Sequence, residues 1–129
     1  MTAQRLQPGQ RAQMEVEVTM ELSVNPTGRP DGDVLSTPSL LKIMEQCSSK
    51  ASLPYLPDGY TTVGYAVDGM RHLAPAALGA TVLVRSVIER VAGDRITYSI
   101  EVFDGEKKIG VATHKRAMIP RDGGARSAE

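Results

Sequence analysis

Apolar and polar residues alternate without a break from Gln13 to Leu22: Met14, Val16, Val18, Met20 and Leu22 are apolar, while Gln13, Glu15, Glu17, Thr19 and Glu21 are polar. A period of two sustained over that length predicts a half-buried strand. Turn formers then crowd Asn25-Pro-Thr-Gly-Arg-Pro-Asp-Gly-Asp33, which no helix or strand can cross, so a loop of about nine residues follows. Loops of that length in a compact domain are often functional.

The period then changes. Leu40, Leu41, Ile43, Met44, Cys47 and Ala51 gather on one side when placed at about 100° per residue, with Lys42, Gln46, Ser49 and Lys50 opposite, which predicts an amphipathic helix. Ser36-Thr37-Pro38 marks its start, with Thr37 as the expected N-cap and Pro38 in the first turn. Glu45 is the one acid of this helix and falls at the seam between the two faces. Pro54 and Pro57-Asp58-Gly59 end it. Alternation by two returns afterwards: Val63, Tyr65 and Val67 in one strand, Val82, Val84 and Ile88 in a second, Ile96, Tyr98, Ile100 and Val102 in a third, Ile109, Val111 and Ala117 in a fourth. Gly93-Asp94 and Asp104-Gly105 sit at tight turns between the last three. From Arg121 onward there is no period, and the tail is expected to fray.

Strand, long loop, one helix and four more strands, expected to run as a meander, give an α+β layout. A five-stranded antiparallel sheet wrapped around one central helix is the hotdog fold. A small barrel would not need so amphipathic a helix. One helix leaves part of such a sheet uncovered, so a homodimer is expected. The 129 residues accommodate a single domain, with an ordered core over about residues 10–120.

Composition narrows the function. Fifteen Lys and Arg balance fifteen Asp and Glu, which gives no reason to expect nucleic acid or an anionic membrane as partner. The single Cys47 excludes an internal disulfide and a four-cysteine zinc site, and fits a reducing, cytoplasmic setting. No apolar run approaches the ~18 residues of a membrane span, and MTAQRLQPGQR lacks a secretory apolar segment. Gly-rich phosphate loops, GxSxG, HExxH and paired cysteines are all missing from the sequence. No cofactor or metal is expected.

The remaining candidates are few. Glu45 on a half-buried flank suits a general base if its surroundings favour the protonated form, and reads equally as a solvated flank residue. Thr37 is accounted for by capping, although a hydroxyl at a helix N-terminus also meets developing negative charge. His72 closes the strand that begins near Tyr60, either as a hydrogen-bonded strand-end residue or as an acid, base or orienting group. His114, Arg116 and Met118 share one face of the last strand, expected to be solvated, where an arginine can also bind phosphate. Cys47 lies on the apolar stripe and reads as core.

Taken together, Val34-Leu-Ser-Thr-Pro-Ser-Leu-Leu-Lys-Ile-Met-Glu45, Val63-Gly64, Arg71-His-Leu-Ala-Pro-Ala-Ala-Leu-Gly79 and Gly110-Val-Ala-Thr-His-Lys-Arg-Ala-Met-Ile119 resemble the hotdog acyl-CoA thioesterases of the fluoroacetyl-CoA thioesterase-like family, over about residues 10–120. The resemblance implies hydrolysis of a thioester. It places the active site on Thr37, on Glu45 eight residues further on, and on His72 in the following strand. It also implies a backbone N–H near Gly64 for the oxyanion, and sites shared between the helix of one subunit and a strand of the other. Basic residues near the mouth, with Arg116 foremost, would meet the CoA phosphates. Two departures carry expectations. Eight residues separate Gly64 from His72, one more than the resemblance implies, which predicts a bulge at Asp68-Gly69-Met70. The specialised fluoroacetyl-CoA members carry a phenylalanine before the helix, whereas the only one here is Phe103, so fluoroacetyl selectivity is not expected.

Other readings are a non-catalytic acyl-CoA or acyl-carrier binding module and a hotdog enoyl-CoA hydratase. Retention of all three polar positions favours the enzyme over the first. The hydratase would want Asp and His beside an Asn-Pro pair, and Asn25-Pro26 has neither flanking it as needed.

Overall fold

The structure, a computed structural model, describes residues 5–122. In chain order these form β1 (Arg11–Glu17), β2 (Ser23–Val24), β3 (Val34–Leu35), α1 (Thr37–Ser52), β4 (Tyr60–His72), β5 (Thr81–Ala92), β6 (Arg95–Asp104) and β7 (Lys107–Pro120), with 3₁₀ turns at Met20–Leu22 and Leu53–Tyr55. Five strands make one antiparallel sheet in the order β1-β5-β6-β7-β4, and β2 pairs with β3 in a separate two-residue ladder at the base of the long loop. α1 packs against all five strands. This is the hotdog layout expected from the periodicity.

Only β5, β6 and β7 form the expected meander. β4 instead pairs with β7 and takes the far edge. The first strand is also shorter than its alternation predicts. Its ladder ends where Glu17 pairs with Thr81, the first residue of β5, and Val18 beyond it bonds only to Ala80 and Gly79 of the preceding turn. Val18 remains buried, whereas Met20 lies in a 3₁₀ turn with 62% of its surface exposed.

The core lies between helix and sheet. Leu40, Ile43, Met44, Cys47 and Ala51 of α1 are buried together with Val82, Val84, Ile88, Ile96, Ile100, Val102 and Ile109, each large aliphatic chain contributing roughly 1.5–3 kcal/mol by leaving water. Polar side chains enter this core in a paired line. The Ser48 and Ser86 hydroxyls lie 2.9 Å apart, the Tyr98 hydroxyl donates to Ser52 Oγ at 2.8 Å, and Ser52 Oγ donates back to the Ser48 carbonyl. All four are buried, and each has a partner, as burial demands.

Irregularities decide which residues face the helix. On β7, Val102 pairs with Gly110 and Phe103 with Lys108, so Ile109 is an extra residue and the phase of the strand flips there. The inward set after it is Ala112, His114 and Arg116, not the Val111 and Ala117 that simple alternation selects. β4 carries two shifts. The expected bulge is present between Asp68 and Arg71, where Gly69 takes a φ of 60°, and a second lies between Gly64 and Ala66. Val63 and Tyr65 consequently face outward, 45% and 47% exposed, while Thr62 is buried. Of the tail expected to fray, Arg121 donates its N–H to the Gly59 carbonyl, and residues 123–129 lie outside the described residues.

Candidate active site

The start of α1 is capped by Ser36, not Thr37. Ser36 holds an extended backbone, and its hydroxyl accepts from the Ser39 N–H at 3.2 Å. Thr37 is thereby the first helical residue, and its side chain is released from capping. Its Oγ1 lies 2.8 Å from His72 Nδ1, a contact across the gap between α1 and the end of β4. Replacing Ser36 by alanine should cost about 1 kcal/mol of stability, and Thr37→Ala far less. Thermal melts of the two variants check this, and a larger loss for Thr37→Ala would return the cap to that residue.

His72 is partly buried, and burial lowers its pKa below the ordinary 6.5. The imidazole is therefore neutral at pH 7, able to accept a proton at one nitrogen and to donate a hydrogen bond from the other.

Two helical turns further on, about 12 Å along the axis, a second cluster forms around Glu45. Its carboxylate is 42% exposed on one side, and on the other Oε2 lies 3.4 Å from His114 Nε2. Gly64 of β4 backs onto both: a Cβ added there would lie 2.9 Å from His114 Nε2 and 3.0 Å from Glu45 Oε2. Only a residue without a side chain lets the backbone come so close. Beneath them Arg116, paired in register with Gly64, directs Nε to Thr62 Oγ1 at 2.7 Å and Nη2 to the Thr62 carbonyl at 2.9 Å.

These positions correct one expectation. His114 and Arg116 do not lie on a solvated face; they are 1% and 9% exposed because the extra residue at Ile109 turns them inward. The Arg116 guanidinium is turned inward and bonded to Thr62. Thr62 was not among the sequence candidates. A threonine in a strand carries no signal of its own, and only the pairing of β4 with β7 brings it to Arg116.

The charges are coupled. Burial is the main influence lowering the His114 pKa, Arg116 adds to it, and Glu45 opposes both. Burial also lowers that of Arg116, against the attraction of Tyr98 and Glu45, but a guanidinium stays protonated. Among the described residues three buried side-chain nitrogens lack a hydrogen-bond partner, and all belong to this region: His72 Nε2, His114 Nδ1 and His114 Nε2. Each such orphan costs about 1–3 kcal/mol.

The fold thus brings Thr37 to His72, and Glu45 to Gly64, His114 and Arg116. It does not join the two groups within one chain, since the ion-pair partner of Glu45 among the described residues is His114. A carboxylate beside an unobstructed backbone and a hydroxyl–imidazole pair are together the parts needed to attack an acyl carbon and to handle the leaving group.

Residues 13–122 match the family described as fluoroacetyl-CoA-specific thioesterase. A fluoroacetyl-CoA thioesterase of Streptantibioticus cattleyicolor is 33% identical over 87 residues, which span 67% of this chain and 62% of that relative. Among solved structures, a point mutant of the fluoroacetyl-CoA-specific thioesterase in complex with fluoroacetate and CoA is 28% identical, with a TM-score of 0.79 over 91% of this chain and 98% of its own. A thioesterase superfamily member of Thermus thermophilus is 28% identical, with a TM-score of 0.81 over 95% of this chain and 90% of its own. A hot-dog-like protein from Thermanaerovibrio acidaminovorans, 23% identical with a TM-score of 0.83 over 97% and 92%, shows the shared fold.

Proposed function

Because the chain belongs to the fluoroacetyl-CoA-specific thioesterase family, we propose that it hydrolyses an acyl-CoA thioester to the free acid and CoA, with Glu45 as base or nucleophile assisted by Thr37 and His72. The observation that carries this reading is the half-exposed Glu45 carboxylate set against the bare backbone of Gly64. In one route Glu45 takes a proton from water as the water oxygen bonds to the acyl carbon. In the other its own oxygen forms that bond, and once the thiolate has left, water opens the resulting anhydride. Either way the carbonyl oxygen gains negative charge, to which a backbone N–H near Gly64 donates a hydrogen bond. The C–S bond then breaks, and the departing thiolate takes the proton that Glu45 removed from water or, in the anhydride route, one from solvent. A neutral His72, steadied by Thr37, accepts and hands on that proton or orients the water.

A homodimer would complete the site. β4 is an edge strand thirteen residues long, and its outward Val63 and Tyr65 are about half exposed, features that favour pairing with another strand. When a strand pairs antiparallel with its own copy, residues equidistant from the centre meet. A two-fold axis near Asp68 would bring the Gly64 end of one strand beside the His72 end of the other. The Glu45 cluster of one subunit then approaches the Thr37–His72 pair of the other. Sedimentation should therefore give twice 13.9 kDa, and a monomer at micromolar concentration would remove the shared site.

The substrate class draws on the relative solved with CoA; a carrier-protein thioester is the other source of the same chemistry. The loop from Asn25 to Asp33 contains no phenylalanine, so selectivity for a fluoroacetyl group is not part of the proposal. Incubation with short, branched and aromatic acyl-CoAs and a thiol reagent tests the reading. Free thiol above background supports hydrolysis, and none with any substrate would favour a non-catalytic binding module. Among the described residues no helix is long and apolar enough to cross a membrane.

A further inference from the structure

His114 is the least accessible group of the Glu45 cluster, and the reaction as proposed gives it no work. Every element packed against it presents something specific. α1 contributes the Glu45 carboxylate, β7 the Arg116 guanidinium, β4 the Gly64 backbone, and β6 the Tyr98 ring, whose centroid lies 5.8 Å from that of the imidazole at 33°. At 1% exposure the ring does not meet substrate. Both of its nitrogens nevertheless lack a hydrogen-bond partner, an arrangement that native interiors rarely leave without a use.

Resting on the assignment of Glu45 above, we propose that His114 is a positioning residue for that carboxylate: its Nε2–H donates to Oε2 when substrate is bound, which leaves Oε1 on the open side to act on water or on the acyl carbon. The present separation of 3.4 Å is long for a charge-assisted bond. Catalytic hydrogen bonds commonly shorten only in the substrate complex. The tautomer follows from the neighbours. A carboxylate oxygen only accepts, so a lone pair on Nε2 would repel it, and the neutral form with its proton on Nε2 is the one that fits. Arg116, held by both groups of Thr62, supplies a fixed positive charge that opposes a second proton on the ring. The hydrogen bond thus comes from a neutral donor, and the charge of Glu45 is kept for the reaction.

Glutamine and asparagine separate this role from simple packing. The amide of glutamine reaches the position of Nε2, whereas that of asparagine stops near Nδ1, and both place a buried amide in the same cavity. His114→Asn should lower kcat for the best acyl-CoA by about 10- to 100-fold with KM within about 3-fold, and His114→Gln should recover most of the loss. The acid limb of the kcat profile, which reports the substrate complex, should move to higher pH in the asparagine variant alone, because a carboxylate that loses a donor is protonated more readily. Equal activities for the two variants, or an unmoved acid limb, would overturn the proposal. Nitrogen-15 NMR of the wild-type protein gives a second test that needs no variant. A neutral ring protonated at Nε2 at pH 7 agrees with it, and protonation at Nδ1 or at both nitrogens contradicts it. Glu45→Gln measured alongside separates the two levels: an active Glu45→Gln enzyme defeats the assignment of Glu45 itself, whereas an inactive one beside a fully active His114→Asn enzyme defeats this inference alone.

Discussion

Glu45→Gln is expected to lower kcat by about 10²-fold or more with the fold intact. The substitution keeps the volume of the side chain and most of its hydrogen bonding, but it removes the oxygen proposed to take a proton or attack the acyl carbon. Glu45 is partly exposed, His114 beside it is held toward its neutral form, and the buried Arg116 guanidinium keeps both of its bonds to Thr62. Stability should therefore change little, and substrate should still bind. Circular dichroism and a thermal melt establish the fold, and steady-state kinetics on the best acyl-CoA establish the loss. A folded variant that turns over at a near wild-type rate would remove Glu45 from the chemistry and leave His72 as the base candidate.

Gly64→Ala should be nearly as damaging through geometry alone, with kcat down by about 10²-fold for a single added methyl group. The new Cβ would press on His114 Nε2 at 2.9 Å and on Glu45 Oε2 at 3.0 Å. The imidazole is walled in, so the half-exposed carboxylate yields. It swings toward solvent and away from the backbone N–H proposed to meet the oxyanion. Gly64 is not among the glycines with positive φ, so alanine adds no backbone strain there. Gly69→Ala makes the opposite comparison: its φ of 60° strains any side chain, while the space around it is open, so it should cost about 1 kcal/mol of stability and spare the rate. If Gly64→Ala kept full activity, the close approach of β4 to the carboxylate would have no catalytic meaning.

Much of this arrangement was legible in the sequence, because much of it is local. α1 announces itself through the spacing of Leu40, Ile43, Met44, Cys47 and Ala51, and β6 through Ile96, Tyr98, Ile100 and Val102, all of them buried. The extra residue near Gly69 was readable as one residue more between Gly64 and His72 than the resemblance implies. What escaped depends on pairing between distant segments. Nothing near Ile109 says that β7 changes phase there, so His114 and Arg116 read as solvent-facing although the ladder with β6 turns them inward. The place of β4 beside β7 is likewise a long-range choice, and with it comes the bond between Thr62 and Arg116. At the helix start, Ser36 and Thr37 are chemically near-equivalent caps. The hydroxyl that takes the Ser39 amide is decided by one residue's backbone angles, which composition does not encode.

The line of serine and tyrosine hydroxyls through the core has a consequence for aim. Hydrophobic contact has no direction, so a helix lying on an aliphatic sheet is free to roll or slide by a fraction of a turn at little cost. Hydrogen bonds do have direction. Ser48 and Ser52 are fastened to Ser86 of β5 and Tyr98 of β6, and they stand three and seven residues beyond Glu45, near the azimuth of that residue on successive turns. They act as an indexing key: by fixing the rotation of the rod they fix the bearing of the carboxylate it carries. A core rebuilt in alanine and valine at these positions would hold the helix as firmly and point Glu45 less well.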